Sequence, residues 1–575
     1  MTIAAVMFGL ILAFAPYLYY EFNKVRKRSA SANVLDYEDG RNVSNDEIDR
    51  ASKVNNSNIA CDFQLLTVYP NVLFGVIGNF FVPILNAISF FVGGYMHWKF
   101  LEKGHAVFKS NASLHSFIGN AHSLGSSRSV LASISLVGFG LLIAFELTFL
   151  AHFLHGVLGF GRLYFYLFVF MICFFLIWFT FKGGQKTALQ SDQWYLIVAY
   201  IGIHSLIFAL AQKGLNGDGL QPTLVVALCL MTIAIVLRFR DMIKYRETPR
   251  QTLLINSVVC LATGLTVWAA FSAVQPSKFS SEFSYKKFSA FTQDMTWSAI
   301  TTMMMAAVAP ALVFRYVDFS LWLRNRAIYR DLGSAQIVDA KKRLPGTRGY
   351  FVEAALTYVL PLLVGAFLSD QNAELRKIAE NPAQDVMTEA TRNLLADGSS
   401  LVVLCAALFL SGIIAIAMST LNTLFVASAA LYGMDMKRSE SVDARARFMW
   451  CLGGLISVLV IAIDLLTQNV TQIVGAMIGA IGVLMALAPL VTFPMFCGIA
   501  LHTDGWRRLV FWAVPASGVG FTLFFVIYAG VAAVEPTDAY YWIAAPGALL
   551  VSGVVYLCGL GICGSRIIAT AGSDY

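Results

Sequence analysis

Four polar side chains stand close together in an otherwise apolar stretch, AIAMSTLNTLFVAS at residues 415–428. On a helix, Ser419, Asn422 and Thr423 share one face, because residues three and four apart lie above one another, and Thr420 lies next to Ser419. Their hydroxyl and amide oxygens are hard, neutral ligands of the type that a dehydrated sodium ion accepts. Helix packing is the alternative, since Ser and Thr are common at contacts between membrane helices. The local pattern leaves both interpretations open.

A carboxyl group, Glu146, lies deep inside another apolar run, residues 128–158. A bare carboxylate in a membrane helix is costly, so it is protonated, paired or facing a wet cavity. One interpretation is a ligand for a cation or an ammonium group, or a proton carrier; the other is a structural partner for a basic or hydroxyl side chain. Acidic residues inside membranes usually have a function, so we predict one for Glu146.

Further candidate lining residues are Trp297 and Thr301 in the run 293–314, and Tyr200, which shares a helix face with His204. Ordinary core packing is the alternative for each of them. The sequence contains no Walker motif, no GxSxG, no HExxH and no paired carboxylates in a soluble segment. These absences predict that the chain is not an enzyme.

The composition predicts the environment that must hold these residues. The chain has 575 residues, of which 58% are hydrophobic and 13% charged, and its mean hydropathy is +0.68. This indicates a multi-pass protein of the lipid bilayer, and runs of about 20 apolar residues favour helices over a barrel. The net charge of +7 comes from short basic loops, so we expect no nucleic-acid partner. The nine cysteines are scattered and predict neither disulfides nor a metal site.

About fourteen apolar runs are long enough to be membrane spans. We place them at residues 2–20, 70–98, 128–158, 162–181, 193–212, 222–237, 251–274, 293–314, 350–368, 400–432, 448–466, 470–492, 509–532 and 541–563. Basic loops follow 222–237, 293–314, 400–432 and 470–492. The positive-inside rule therefore predicts that 128–158 runs from the cytoplasm outward. The side of the membrane on which residues 21–69 lie stays open, because basic residues follow both of the first two runs.

Several segments resemble the sodium:solute symporter family. AIAMSTLNTLFVAS resembles that family's eighth core helix, with Ser419 and Thr420 on its sodium-binding hydroxyl pair. Asn422 and Thr423 fall where some members build a second sodium site. Three other stretches are similar to the lead into core helix 1, the segment after core helix 6 and the end of core helix 10: FIGNAHSLGSSRSVLASISLVG, FRYVDFSLWLRNRAIYRDLGSAQ and LAPLVTFPMFCGIA.

The resemblance implies a domain organisation as well as a site. Residues 128–274 and 293–492 would be two inverted five-helix repeats, with first helices broken near the midplane. Residues 1–127 and 509–563 would supply about two extra helices at each end, the former including the hydrophilic loop 21–69. The carbonyls near Gly138 and Leu141 would complete the sodium site with Ser419 and Thr420.

The prediction is therefore a sodium-coupled symporter of a small organic solute, working by alternating access in the plasma or inner membrane. Glu146 departs from the family, because no acid is expected at its position, and helix 251–274 has no acid to support a second sodium site. Two alternatives stay open. One is a proton-coupled carrier that uses Glu146. The other is a membrane sensor, or a partner subunit of another membrane protein, with a transporter-like fold.

Overall fold

The computed structural model describes most of the apolar runs and few of the longer loops. Apart from isolated positions, the described residues are 81–103, 113–159, 161–214, 222–244, 249–273, 312–323, 358–371, 386–397, 399–437, 442–466, 479–531 and 540–567.

The described chain is almost entirely helical. Its helices are α1 Phe81–Lys103, α2 Leu114–Ala121, α3 Arg128–Leu158, α4 Arg162–Gly214, α5 Pro222–Lys244, α6 Pro249–Ala273, α7 Leu360–Gln371, α8 Val386–Leu395, α9 Ser400–Leu431, α10 Val442–Leu466, α11 Ala488–Thr492, α12 Arg508–Val531 and α13 Tyr540–Cys563. Turns of π-helix follow α9 and α11, at Tyr432–Met436 and Phe493–Cys497. Residues 312–317, 319–323 and 479–485 are also helical. Two short strands, β1 Ile499–Leu501 and β2 Ser565–Ile567, pair antiparallel.

Six of the described helices are long and apolar enough to cross a membrane: Gly125–Leu158, Ser400–Met436, Arg447–Leu465, Gly479–Cys497, Gly505–Tyr528 and Ile543–Cys563. The buried fraction of each helix distinguishes helices at the centre of the bundle from helices at its periphery. In its most apolar window, 83% of Ser400–Met436 is buried, against 28% of Gly505–Tyr528. A helix that is apolar on all sides and buried on all sides must lie in the middle of the bundle. Helix α9 is therefore the central helix.

Glycines let α4 and α9 cross in backbone contact. A Cβ atom added to Gly202 would lie 2.9 Å from the Cα of Gly412 and 2.9 Å from the carbonyl oxygen of Leu408. Neither of those backbone atoms can move aside as the end of a side chain can. Small residues at membrane helix crossings allow this close approach, which gains dispersion contacts where no hydrophobic driving force exists. This crossing fixes how α4 lies on the central helix.

Helix α4 contains two apolar segments, Leu163–Trp178 and Val198–Leu210. In the first segment, Tyr166 contacts Asp464 and Ile177 packs against Gly453, so it runs opposite to α10. Toward the second segment, Ser191 contacts Asn422 and Gly202 lies against Gly412, so this part of α4 runs opposite to α9. Residues near the start of α9 and near the end of α10, Phe409 and Asp464, both contact the same end of α3, so α9 and α10 are antiparallel and the two segments of α4 run in opposite directions. They correspond to the predicted spans 162–181 and 193–212.

The structure departs from expectation in helix α3, which is continuous from Arg128 to Leu158. The resemblance had implied a break near Gly138 and Gly140. In an unbroken helix the carbonyl of residue i accepts from the N–H of residue i+4, so both glycines keep helical geometry. The predicted break in 293–314 falls almost wholly outside the described residues. Past that run, residues 312–317 and 319–323 form two helical pieces, and Asp318 accepts from the N–H of Ser320 at 2.8 Å.

Candidate functional site

Two contacts fix how α3 and α9 lie side by side. The Nε of Arg128 lies 2.5 Å from Oδ1 of Asp435, and the rings of Phe153 and Phe409 lie 6.5 Å apart. Arg128 and Phe153 are 25 residues apart on α3, while Phe409 and Asp435 are 26 residues apart on and just beyond α9. The helices are therefore antiparallel, and both contacts give the same register within one residue.

This register shows which parts of α3 lie opposite the polar stretch. Ser419 is ten residues after Phe409, so it lies at the level of the residue ten before Phe153, which is Ile143. By the same register Glu146 lies at the level of Ile416, which is about one helical turn, or roughly 5 Å, from Ser419 and Thr420. The structure thus brings the carboxyl group and the two hydroxyl groups into one layer of the bundle.

A residue on α4 that the sequence analysis missed belongs to the same layer. Asn422 contacts Ser191 and Gly412 contacts Gly202, so ten residues on α9 correspond to eleven on α4. This register puts Trp194 and Tyr195 at the level of Ser419. Tyr195 is almost completely buried. We call Ser419, Thr420, Tyr195 and the facing α3 residues 142–144 the hydroxyl layer.

Tyr195 could have been found from the sequence by its hydroxyl group. Its neighbour Trp194 is partly buried and packs against the core. Two aromatic side chains beside the hydroxyl pair provide a wall that is both apolar and hydrogen-bonding.

The hydroxyl groups on α9 differ in how tightly their own helix holds them. Ser411 and Ser428 donate to the carbonyls four residues earlier at 2.7 and 2.8 Å. Thr420 makes the corresponding contact, to the carbonyl of Ile416, at 3.3 Å, beyond the usual range for a hydroxyl donor. Ser419 and Thr420 are both buried. The contact of Thr420 within its own helix is therefore longer than those of the two serines.

Asn422 and Thr423, the predicted second ion-binding pair, have different surroundings in the structure. Asn422 is fully buried, and its Nδ2 donates to Oγ of Ser191 at 3.1 Å. Thr423 is half-buried. The Asn422 contact ties α9 to α4 just below the hydroxyl layer, so at least one of the amide's polar atoms serves helix packing.

Of the two α3 residues implied by the resemblance, Leu141 fits the hydroxyl layer better than Gly138. Leu141 is within two residues of the level of Thr420. Gly138 lies four to five residues from the level of Thr420, on the side of Arg128, which is about 7 Å along the helix. A Cβ at Gly138 would meet Leu484 at 2.7 Å, so its open side faces residues 479–485. Gly138 is a packing glycine in this structure.

The remaining candidates have separate surroundings. Glu146 is fully buried in the middle of α3. Tyr200 is buried, and its carbonyl accepts from Nδ1 of His204 at 2.8 Å. The other ring nitrogen of His204 lies 3.2 Å from Oγ1 of Thr263, which joins α4 to α6. Trp297 and Thr301 lie outside the described residues.

Besides Glu146, charged side chains form contacts at both ends of α3. At one end Asp435 contacts Arg128 and His115. At the other, Oδ1 of Asp464 lies 3.0 Å from Nε2 of His152, and Oδ2 accepts from Tyr166 at 2.7 Å. Among the described residues no three His, Cys, Asp or Glu side chains come together as a transition-metal site would require.

Comparisons with known proteins support the fold and no more. No family model matches the chain, and no curated protein matches it in sequence. A solved structure that it resembles is that of a sodium-coupled sialic acid symporter in a substrate-bound, outward-open state. The TM-score is 0.55, the sequence identity is 13%, and the match covers 99% of each chain.

The chain therefore has the fold of a membrane secondary transporter. It is an all-α, multi-pass protein with the inverted five-helix repeat and extra helices at both ends, which confirms the predicted fold class. The match over the whole length also indicates that the described helices belong to this single fold.

Proposed function

We propose that this protein is a sodium-coupled symporter that moves a small organic solute across the plasma or inner membrane by alternating access. The observation that carries the proposal is the hydroxyl layer, with the hydroxyl groups of Ser419 and Thr420 buried next to each other on the central helix. The similarity of the fold to that of a sodium-coupled symporter supports it. We assign the repeats to residues 128–274 and 293–492, flanked by the extra helices of 1–127 and 509–563.

In this proposal Ser419 and Thr420 provide hydroxyl oxygens to sodium, and the carbonyl of Leu141 supplies a further ligand through the lone pair that its helical hydrogen bond leaves unused. Dehydrated sodium needs several oxygen donors, which two helices can provide only when they are held together. Sodium binding would thus favour the state in which α3 and α9 are close. Asn422 and Thr423 would be the weaker, second ion site.

Solute would bind on the outer side of the hydroxyl layer. By the helix registers, Glu146 lies about one turn from Thr420, and Tyr200 on α4 lies at the level of Ile414. A buried carboxylate favours a solute that carries an ammonium group or several hydroxyl groups. Trp297 and Thr301 would complete the pocket from the second repeat.

The test is thermal stability of the purified protein in sodium and in potassium at equal ionic strength. A ligand that binds only the folded state stabilises it by RT ln(1 + [L]/Kd), about 1.4 kcal/mol at ten times Kd. We expect a sodium-specific rise in Tm in the wild type and its loss in Ser419→Ala/Thr420→Ala. Ser428→Ala is the matched control, because Ser428 is buried on the same helix and bonded within it.

The outcomes separate the interpretations. Loss of the sodium effect in the double variant but not in Ser428→Ala would support the ion site. A wild type with equal Tm in the two salts would overturn sodium coupling.

Full burial of Glu146 favours a second candidate, a proton-coupled carrier. That carrier would show uptake driven by a pH gradient in proteoliposomes without sodium. Glu146→Gln would abolish such uptake, because the amide cannot exchange a proton.

A further inference from the structure

Helix α2 is a short element in the segment expected to be a connection between spans, and it is buried on all sides. Seven of its eight residues are buried, the exception being Asn120. Its N-cap Ser113 is also buried and closes a capping box with Ser116. A surface connection would show a polar, exposed face. This one is enclosed by other parts of the protein.

One side of α2 holds the end of the central helix. Oγ of Ser113 donates to Oδ1 of Asp435 at 2.6 Å, and Nδ1 of His115 lies 2.8 Å from Oδ2. The second ring nitrogen of His115 lies 2.9 Å from Oγ of Ser135 on α3. Arg128 completes the set around Asp435, which is 1% exposed. The Asp435 cluster thus joins α2, the start of α3 and the end of α9 through one buried carboxylate.

The other sides of α2 are fixed to the second repeat and to the C-terminal helices. The rings of Phe117 and Trp322 lie 5.6 Å apart, and the Phe319 ring lies 5.5 Å from that of His115. Just after α2, Nε2 of His122 lies 3.2 Å from the hydroxyl of Tyr556 on α13. Thr503 donates to the carbonyl of His122. Helix α2 therefore bridges elements that a rocking motion would move apart.

Its position is at one mouth of the bundle. The positive-inside rule puts the start of α3 and the end of α9 on the cytoplasmic side. Between this end and the hydroxyl layer lie about fifteen residues of α9, roughly 22 Å. The Asp435 cluster joins α3 and α9 at the cytoplasmic side of that layer.

We propose that α2 is the cytoplasmic gate of this protein, and that Ser113 and His115 keep it shut by holding Asp435. The gate rests on the alternating-access function proposed above. Removing α2 would leave Asp435 with Arg128 alone and partly desolvated, which is costly for a buried carboxylate. Opening therefore needs water to reach Asp435, and solvent access to the start of α3 reports it directly.

The experiment uses a single reporter cysteine, Ala132→Cys, in a full-length background without the nine native cysteines. Ala132 is fully buried on α3, one turn beyond Arg128. Labelling by a membrane-impermeant thiol reagent is measured on protein reconstituted in vesicles with the cytoplasmic face outward. We expect His115→Leu to increase the labelling rate about tenfold or more, as loss of a hydrogen bond to a charged group predicts.

Two graded variants keep the test valid if His115→Leu fails to fold. Ser113→Ala removes one hydrogen bond from Asp435 and should give a smaller increase. His115→Asn places an amide N–H where Nδ1 was and should label slowly, like the parent. His502→Leu is the matched control, because His502 pairs with Asp504 at 3.4 Å on the exposed surface of the same side.

The readings distinguish the gate from the sodium proposal. Faster labelling in His115→Leu and Ser113→Ala, with His115→Asn and His502→Leu unchanged, supports the gate, whether or not sodium raises Tm. Unchanged labelling in His115→Leu and in Ser113→Ala overturns the gate even if the sodium effect is present. Equal increases in His115→Leu and His502→Leu would also overturn it, because the effect would not be specific to Asp435.

Discussion

Gly202 on α4 and Gly412 on α9 lie so close that a Cβ on the first would be 2.9 Å from the Cα of the second. This crossing sits seven residues from Ser419 along α9. It sets the distance between the central helix and Tyr195, and so the width of the hydroxyl layer. The packing of two glycines and the chemistry of two hydroxyl groups are therefore parts of one arrangement.

We expect Gly202→Ala to destabilise the protein by about 1–3 kcal/mol, because backbone atoms of α9 cannot yield to the new methyl group. The measurement is Tm in detergent. Gly140→Ala is the control, since a Cβ there meets nothing within 4 Å. It should stabilise α3 by up to about 1 kcal/mol through helix propensity. A Gly202→Ala protein as stable as wild type would show that the crossing is looser than the structure has it.

The sequence predicts individual helices well where long apolar runs end at polar residues. Residues 128–158 and 400–432 match α3 and α9 almost to the residue. Hydropathy measures the free energy of transferring a segment between water and the membrane, which depends only on the local sequence, so it locates the ends of helices. It contains no information on the axial position of one helix relative to another.

The composition of the site depends on the axial register of α3 against α9, and this register could not be predicted from the sequence. The resemblance implied that carbonyls near Gly138 and Leu141 lie beside Ser419, and the contacts of Arg128 with Asp435 and of Phe153 with Phe409 put Ile143 at that level. Those partners are hundreds of residues apart in the chain, and nothing local marks them. The burial of α2 was missed for the same reason, since its fixed position comes from three distant elements.

Tyr195 should contribute to ion binding through its hydroxyl group. We expect Tyr195→Phe to weaken sodium binding about tenfold, as removal of a hydrogen bond near a charge predicts, while leaving the fold intact. The measurement is the sodium concentration that gives half of the Tm rise. Tyr200→Phe is the comparison, because Tyr200 lies at the level of Ile414, more than a turn from Ser419. Equal effects of the two variants would contradict the register.

Glu146 should separate solute binding from ion binding. We expect Glu146→Gln to keep the sodium-dependent rise in Tm, because the carboxyl group is about one turn from the hydroxyl pair. Solute-dependent stabilisation should be lost or reduced at least about tenfold, since an amide cannot provide a full negative charge. The check is a thermal-shift screen of cationic and hydroxyl-rich solutes in sodium for both proteins. Loss of the sodium effect in Glu146→Gln would instead place the carboxyl group within the ion site.

His122, which lies between α2 and α3, should make stability depend on pH. Burial lowers the pKa of His122 from 6.5 to about 4, the hydrogen bond with the carbonyl of Ile118 opposing that change. The unfolded chain therefore binds a proton that the folded protein excludes between these values. Stability from neutral His122 is complete above about pH 6.5 and falls as the pH drops toward 4, by about 3 kcal/mol at most.

The measurement is Tm from pH 7.5 to 4 for the wild type and for His122→Gln, which cannot titrate and retains polar atoms to meet Tyr556. We expect the wild type to lose more stability than the variant between pH 6.5 and 4. His502→Gln serves as control for the loss of a histidine, because the side chain of His502 is 40% exposed and lies away from α2. Parallel profiles for wild type and His122→Gln would mean that His122 can take up a proton in the folded state. The contact between α2 and the C-terminal helices would then be open to water.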